Sequence, residues 1–150
     1  MPQRDLDLPD LDAVVAEARR LHERGYEKGG TWDLSMICQH CTMPIVQTMD
    51  GYDLKVSPVV RLVAKLFIKR GIFAKRSIKP GQPAPSTMLP QSGGDEAAAV
   101  EELAEAIARL KSHQGEFKLH PFFGAMTVEQ WHEFHTIHCM HHLRFLMPKG

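Results

Sequence analysis

TVEQWHEFHTIHCMHHLRFLM, residues Thr127 to Met147, carries the signals of a long helix and the densest chemistry in the chain. Thr127 followed three residues later by Gln130 is a capping box, in which hydroxyl and amide satisfy orphan backbone N–H groups, and Pro148 is a stop. At about 100° per residue, Trp131, Phe134, His135, His142 and Phe145 all fall within about 60° of His138. Apolar side chains and imidazoles therefore share one face. His141 lies on the edge of that face, and His132, about 120° from His138, points toward solvent. Histidines at i and i+4 place their rings one above the other, the spacing at which a helix holds one metal ion jointly, and His138 with His142 is the best such pair. The competing reading is a set of hydrogen-bonded core histidines, but several imidazoles on one dry face are hard to satisfy without an ion. A catalytic zinc-type centre takes three protein ligands and keeps a fourth position for water or substrate, so another helix must supply at least one more group.

Working outward, caps and apolar periodicity mark the other helices. Asp10 to Arg24 carries the stripe Leu11, Val14, Val15, Ala18 and Leu21, opened by the aspartate and closed by Gly25. Thr31 is the expected cap of a second helix that runs to about Met49 and ends at Asp50-Gly51. Pro44 lies inside it, where the ring removes one N–H and crowds the His40 carbonyl, so a kink is expected at His40. Ser57-Pro58 opens a third helix, in which Val59, Leu62, Val63, Leu66 and Phe67 describe an amphipathic pattern ending near Gly71 or Phe73, with a solvated basic polar face. Residues 76–94, RSIKPGQPAPSTMLPQSGG, form a long Pro/Gly-rich crossover loop. Asp95 caps EAAAVEELAEAIARLKSH, whose Val100, Leu103, Ile107 and Leu110 face inward. With no strand-period segment, phosphate loop or internal repeat, the fold class is all-α: a four-helix bundle with one additional helix, in a single domain spanning residues 1–150.

A formal net charge of zero gives no electrostatic reason to expect nucleic acid or a membrane as partner. The segment MPQRDLDLPDLD lacks the apolar core of a signal peptide, and no apolar run approaches transmembrane length, so a cytoplasmic location is expected. Cys38, Cys41 and Cys139 lie within helical patterns and fit reduced thiols. The Cys38-x-x-Cys41 pair has neither a preceding strand nor a second such pair, which favours helix packing over a redox motif or half a zinc site. His40 lies about 120° from the centre of its apolar stripe, so periodicity alone does not bury it; the Pro44 kink could turn it inward.

WDLSMICQHC followed by MDGY, the KPGQPAP segment, and HPFFGAMTVEQWHEFHTIHCMHHL together resemble the DinB/YfiT-like superfamily from Trp32 onward, and more closely a branch of bacterial domains of unassigned function. That resemblance implies a four-helix bundle in which one His of the second helix and two His four residues apart on the last helix bind a divalent metal, zinc or nickel being expected. Carried across residue by residue, the ligands are His40, His138 and His142. Where better-studied relatives have an Arg-Gly-Gln run after the second ligand of that pair, this chain has Leu143-Arg144-Phe145, so the substrate contacts of that run do not transfer. Enzymes of the superfamily mostly handle low-molecular-weight thiols. The implied function is a metal-dependent enzyme acting on a small molecule, a thiol-linked transferase or, with water in place of thiol, a hydrolase. His135, one turn before His138, is the candidate outer-shell or acid/base group, against a plain hydrogen bond to a backbone carbonyl, and His120 could close over the site from its loop. Two alternatives stand beside this reading: a non-catalytic metal-binding bundle, its site closed by a fourth ligand such as Cys41, and a metal-free bundle whose histidines pack a core or a homodimer interface.

Overall fold

A computed structural model describes residues 1–81 and 84–150; Gln82 and Pro83, in the expected crossover loop, lie outside the described residues. Each major helix starts where a short polar side chain meets an orphan N–H. Asp10 accepts from the Ala13 N–H to open α1 (Leu11–Arg24), and Gly25, at φ 78°, closes it by donating to the Leu21 carbonyl. Helix α2 (Leu34–Asp50) is capped by Asp33, which accepts from the Met36 N–H, and not by Thr31; it runs through Pro44 and ends at Gly51, φ 119°. Ser57 caps α3 (Pro58–Val63), which passes through one π-helical turn, Ala64–Ile68, into α4 (Lys69–Lys75). Arg76 ends that run in the left-handed region, φ 48°. Asp95 caps α5 (Glu96–Ser112), and the Thr127–Gln130 capping box opens α6 (Val128–Leu143) with both reciprocal bonds formed.

The all-α expectation holds. Helices α1, α5, α2 and α6 pack in a ring, each against the next, around Leu21, Leu34, Ile45, Leu103, Ile107 and Leu143, all essentially inaccessible to solvent. Full burial of each such side chain stabilises the bundle by roughly 1.5–3 kcal/mol. A second apolar cluster, Phe123, Trp131 and Phe134 with Ala64, seats the HPFF loop on the N-terminal half of α6. Buried Glu17 is held by Arg4 and Arg20, and Arg76 bridges Asp7 and Glu133, so both the N-terminal segment and the end of α4 are tied to the ring.

Three further expectations need correction. The last helix stops at Leu143, and Leu146–Pro148 (β2) pairs antiparallel with Tyr26–Lys28 (β1), Tyr26 opposite Pro148. Strands of three residues are too short to show a period, which is why the pair is invisible in the sequence. The third helix extends past Gly71 and Phe73 to Lys75 by way of the π-turn. Its expected inward face also points outward: Val59 is 72% and Phe67 73% exposed, and only Ala64 of the run from Pro58 to Lys75 is buried. The four-helix ring already closes its own core, so this additional helix is laid outside it and turns the small Ala64 toward the HPFF loop. Among the described residues, no helix is long and apolar enough to cross a membrane.

Candidate metal centre

Helix α2 presents His40, and α6 presents His138 and His142 one turn apart, to the same point between the helices. Each residue offers one ring nitrogen, and the three nitrogens lie within 4.8 Å of one another. His40 Nε2 and His138 Nε2 are 3.1 Å apart. On a tetrahedral ion with bonds of about 2.0–2.1 Å, ligand nitrogens stand about 3.3 Å apart, so this pair is already at ligand spacing. The tautomer of His40 is fixed by its neighbour. Its Nδ1 lies 2.7 Å from the Met88 carbonyl, which can only accept, so the proton sits on Nδ1 and the Nε2 lone pair is aimed into the cluster.

Burial removes the competing proton. The pKa of His40 is lowered chiefly by desolvation, that of His138 is driven well below the ordinary imidazole value by desolvation and by its His142 and His40 neighbours, and that of His142 falls to about 2 by desolvation and by its His40 and His141 neighbours. All three rings are therefore neutral near pH 7, the state in which imidazole binds a metal. Trp32, immediately before the Asp33 cap, stacks on His142 at 5.4 Å and packs against His40 at 4.9 Å, restricting both rings.

The cluster opens on a cleft of ≈ 340 Å³ whose walls include Leu54, Ile72, Met88, Phe122 and Phe134. Few polar groups reach it. His120 is one: its Nδ1 accepts from the backbone N–H groups of Phe122 (3.0 Å) and Phe123 (3.1 Å), which places its proton on Nε2. Among the described residues that N–H has no hydrogen-bond partner, and burial lowers the pKa of the ring to about 3, so His120 is a neutral donor in the cleft wall. The tight His120–Gly124 turn, with Gly124 at φ 69°, and stacking on Phe123 at 4.5 Å hold it there.

The remaining candidates fall elsewhere. His135 is wholly buried away from the cleft, its Nε2 2.8 Å from Thr48 Oγ1. Thr48 donates its own proton to the Pro44 carbonyl, so His135 donates to Thr48 and carries its proton on Nε2. This is the hydrogen-bonded alternative, met by a side-chain hydroxyl where a backbone carbonyl was considered. His132 is half-buried on the other side of α6, near Pro9 and Asp10, and is not part of the cluster. His141 borders the cleft edge-on to His142. Cys38, Cys41 and Cys139 are free and fully buried in the main core, and burial beside Cys139 holds the Cys41 thiol well above its ordinary pKa. Two contributors escape the sequence reading: Trp32, a wall of the site that figures there only within a longer motif, and the Met88 carbonyl, a backbone group on which no side-chain pattern reports.

No curated protein and no solved structure matches the chain. Residues 1–149 match the family described as "Protein of unknown function (DUF1569)", to which the chain therefore belongs.

Proposed function

We propose that the chain is a divalent-metal-dependent enzyme of the DinB/YfiT-like superfamily acting on a small molecule, with thiol-linked transferase chemistry at His40, His138 and His142. The observation that carries this reading is the convergence of three neutral imidazole nitrogens, one of them oriented by the Met88 carbonyl, on the floor of an apolar cleft. Three ligands from the protein would leave a further position for water or substrate, and Cys41, buried in the main core, is not part of the three-histidine group. Zinc or nickel suits an all-imidazole donor set. When bound there, such an ion lowers the pKa of a coordinated thiol and presents it as thiolate.

The chain's own residues supply the rest. The apolar walls keep water from a bound molecule, and the fixed Nε2–H of His120 offers a hydrogen bond to an oxygen on it. In this reading His120 is the residue that can reach the substrate, whereas His135 acts only through Thr48 and α2, as a positioning residue. The test is optical. Cobalt(II)-loaded protein should develop an intense thiolate-to-metal absorption band on adding 2-mercaptoethanol, and His138→Ala should show none; a cobalt spectrum indifferent to thiol would overturn the reading.

A further inference from the structure

The outward face of α3 and the π-turn holds Val59, Leu62, Val63, Leu66 and Phe67, between 48% and 73% exposed. Their spacing, i, i+3, i+4, i+7 and i+8, is that of an apolar stripe a helix normally buries. Among the described residues nothing buries it. The charge around it is equally one-sided. Residues 54–94 contain eight Lys and Arg and no Asp or Glu, so the remaining ten Lys and Arg stand against 18 Asp and Glu, a net of −8. A total charge of zero thus conceals a basic segment in an otherwise acidic chain, and the expectation of no membrane partner rested on that total. Within the basic segment Arg76 is matched by Asp7 and Glu133; among the described residues the other seven cations have no ion pair.

We propose that this helix docks the protein on the surface of an anionic lipid bilayer, with Leu66 and Phe67 entering the boundary between headgroups and acyl chains and Lys65, Arg70 and Lys75 lying among the phosphates. The alternative of a second copy is disfavoured by charge: a two-fold contact through this face would lay the basic segment on itself. A lipid surface matches both the apolar stripe and its cations. The same helix roofs the histidine cleft through Ala64 and Ile72, so docking would set that cleft beside the apolar phase.

Flotation with phosphatidylcholine vesicles, with and without phosphatidylglycerol, tests this and does not depend on any metal. The wild-type protein should float with the anionic vesicles, and less so as salt is raised. Lys65→Gln with Arg70→Gln should weaken partitioning by roughly an order of magnitude, since each basic group near an anionic leaflet contributes severalfold. Phe67→Glu should abolish flotation while leaving the circular dichroism spectrum and the metal stoichiometry unchanged, because that side chain is exposed. No flotation of the wild-type protein with anionic vesicles would overturn the proposal. So would sedimentation showing a wild-type dimer that Phe67→Glu dissociates, which would assign the face to a second copy.

Discussion

Acid should unfold the metal-stripped protein just below the ordinary titration range of histidine. His120 and His135 are both buried, and desolvation lowers each pKa from 6.5 to about 3. In the unfolded chain each regains its ordinary value, so below about pH 6.5 the unfolded state takes up protons that the native state excludes. Stability from this source is complete above that pH and is lost progressively as pH falls toward the folded values. At pH 5 each histidine forfeits about 2 kcal/mol and the pair about 4 kcal/mol, a large share of the 5–15 kcal/mol typical of a domain. With chelator present, the lowered ligand histidines add in the same direction. Urea unfolding followed by the fluorescence of Trp32 and Trp131 at a series of pH values reads the effect directly. Between pH 6 and 5 the two histidines alone predict a fall of about 2–3 kcal/mol per pH unit, and His135→Gln, whose amide can still donate to Thr48, should reduce that slope by about 1.2 kcal/mol per unit. A free energy of unfolding that stays level from pH 7 to pH 5, or a slope unchanged in His135→Gln, would refute the reasoning.

Thr48→Val removes the hydroxyl that accepts from His135 and lies 3.0 Å from the Tyr52 phenol, leaving buried groups unpaired. It should destabilise the protein by about 1–3 kcal/mol in denaturant melts without changing metal stoichiometry; loss of metal instead would mean that this network holds the site directly. Pro44→Ala should favour a straighter α2 and shift His40 from its place between the Met88 carbonyl and His138, weakening zinc affinity about 10- to 100-fold in a calorimetric titration; unchanged affinity would show the proline to be incidental.

Caps are chemistry within one turn, which is why Asp10, Ser57, Asp95 and Thr127 are legible as helix starts. Thr31 and Asp33 are both competent two residues apart, and only the register of α2 against the core selects Asp33. The stripe on α3 was visible, but an amphipathic pattern says that one face is apolar and not which side holds a neighbour. The same distinction runs through the site. His138 and His142 follow from i, i+4 spacing, while His40, off the apolar stripe of its own helix, enters through family resemblance and is brought to the cluster by the packing of α2 on α6. His120 could not be ranked from sequence, because its tautomer depends on two backbone N–H groups that converge only in the folded loop.

The most direct measurement is metal content, by mass spectrometry, of protein purified without an affinity tag. One equivalent of divalent metal per chain is expected in the wild-type protein and in His132→Ala, and none in His138→Ala. A wild-type protein that carries no metal and takes up none from added zinc or nickel, or a His138→Ala variant that keeps its full equivalent, would contradict a metal centre at His40, His138 and His142.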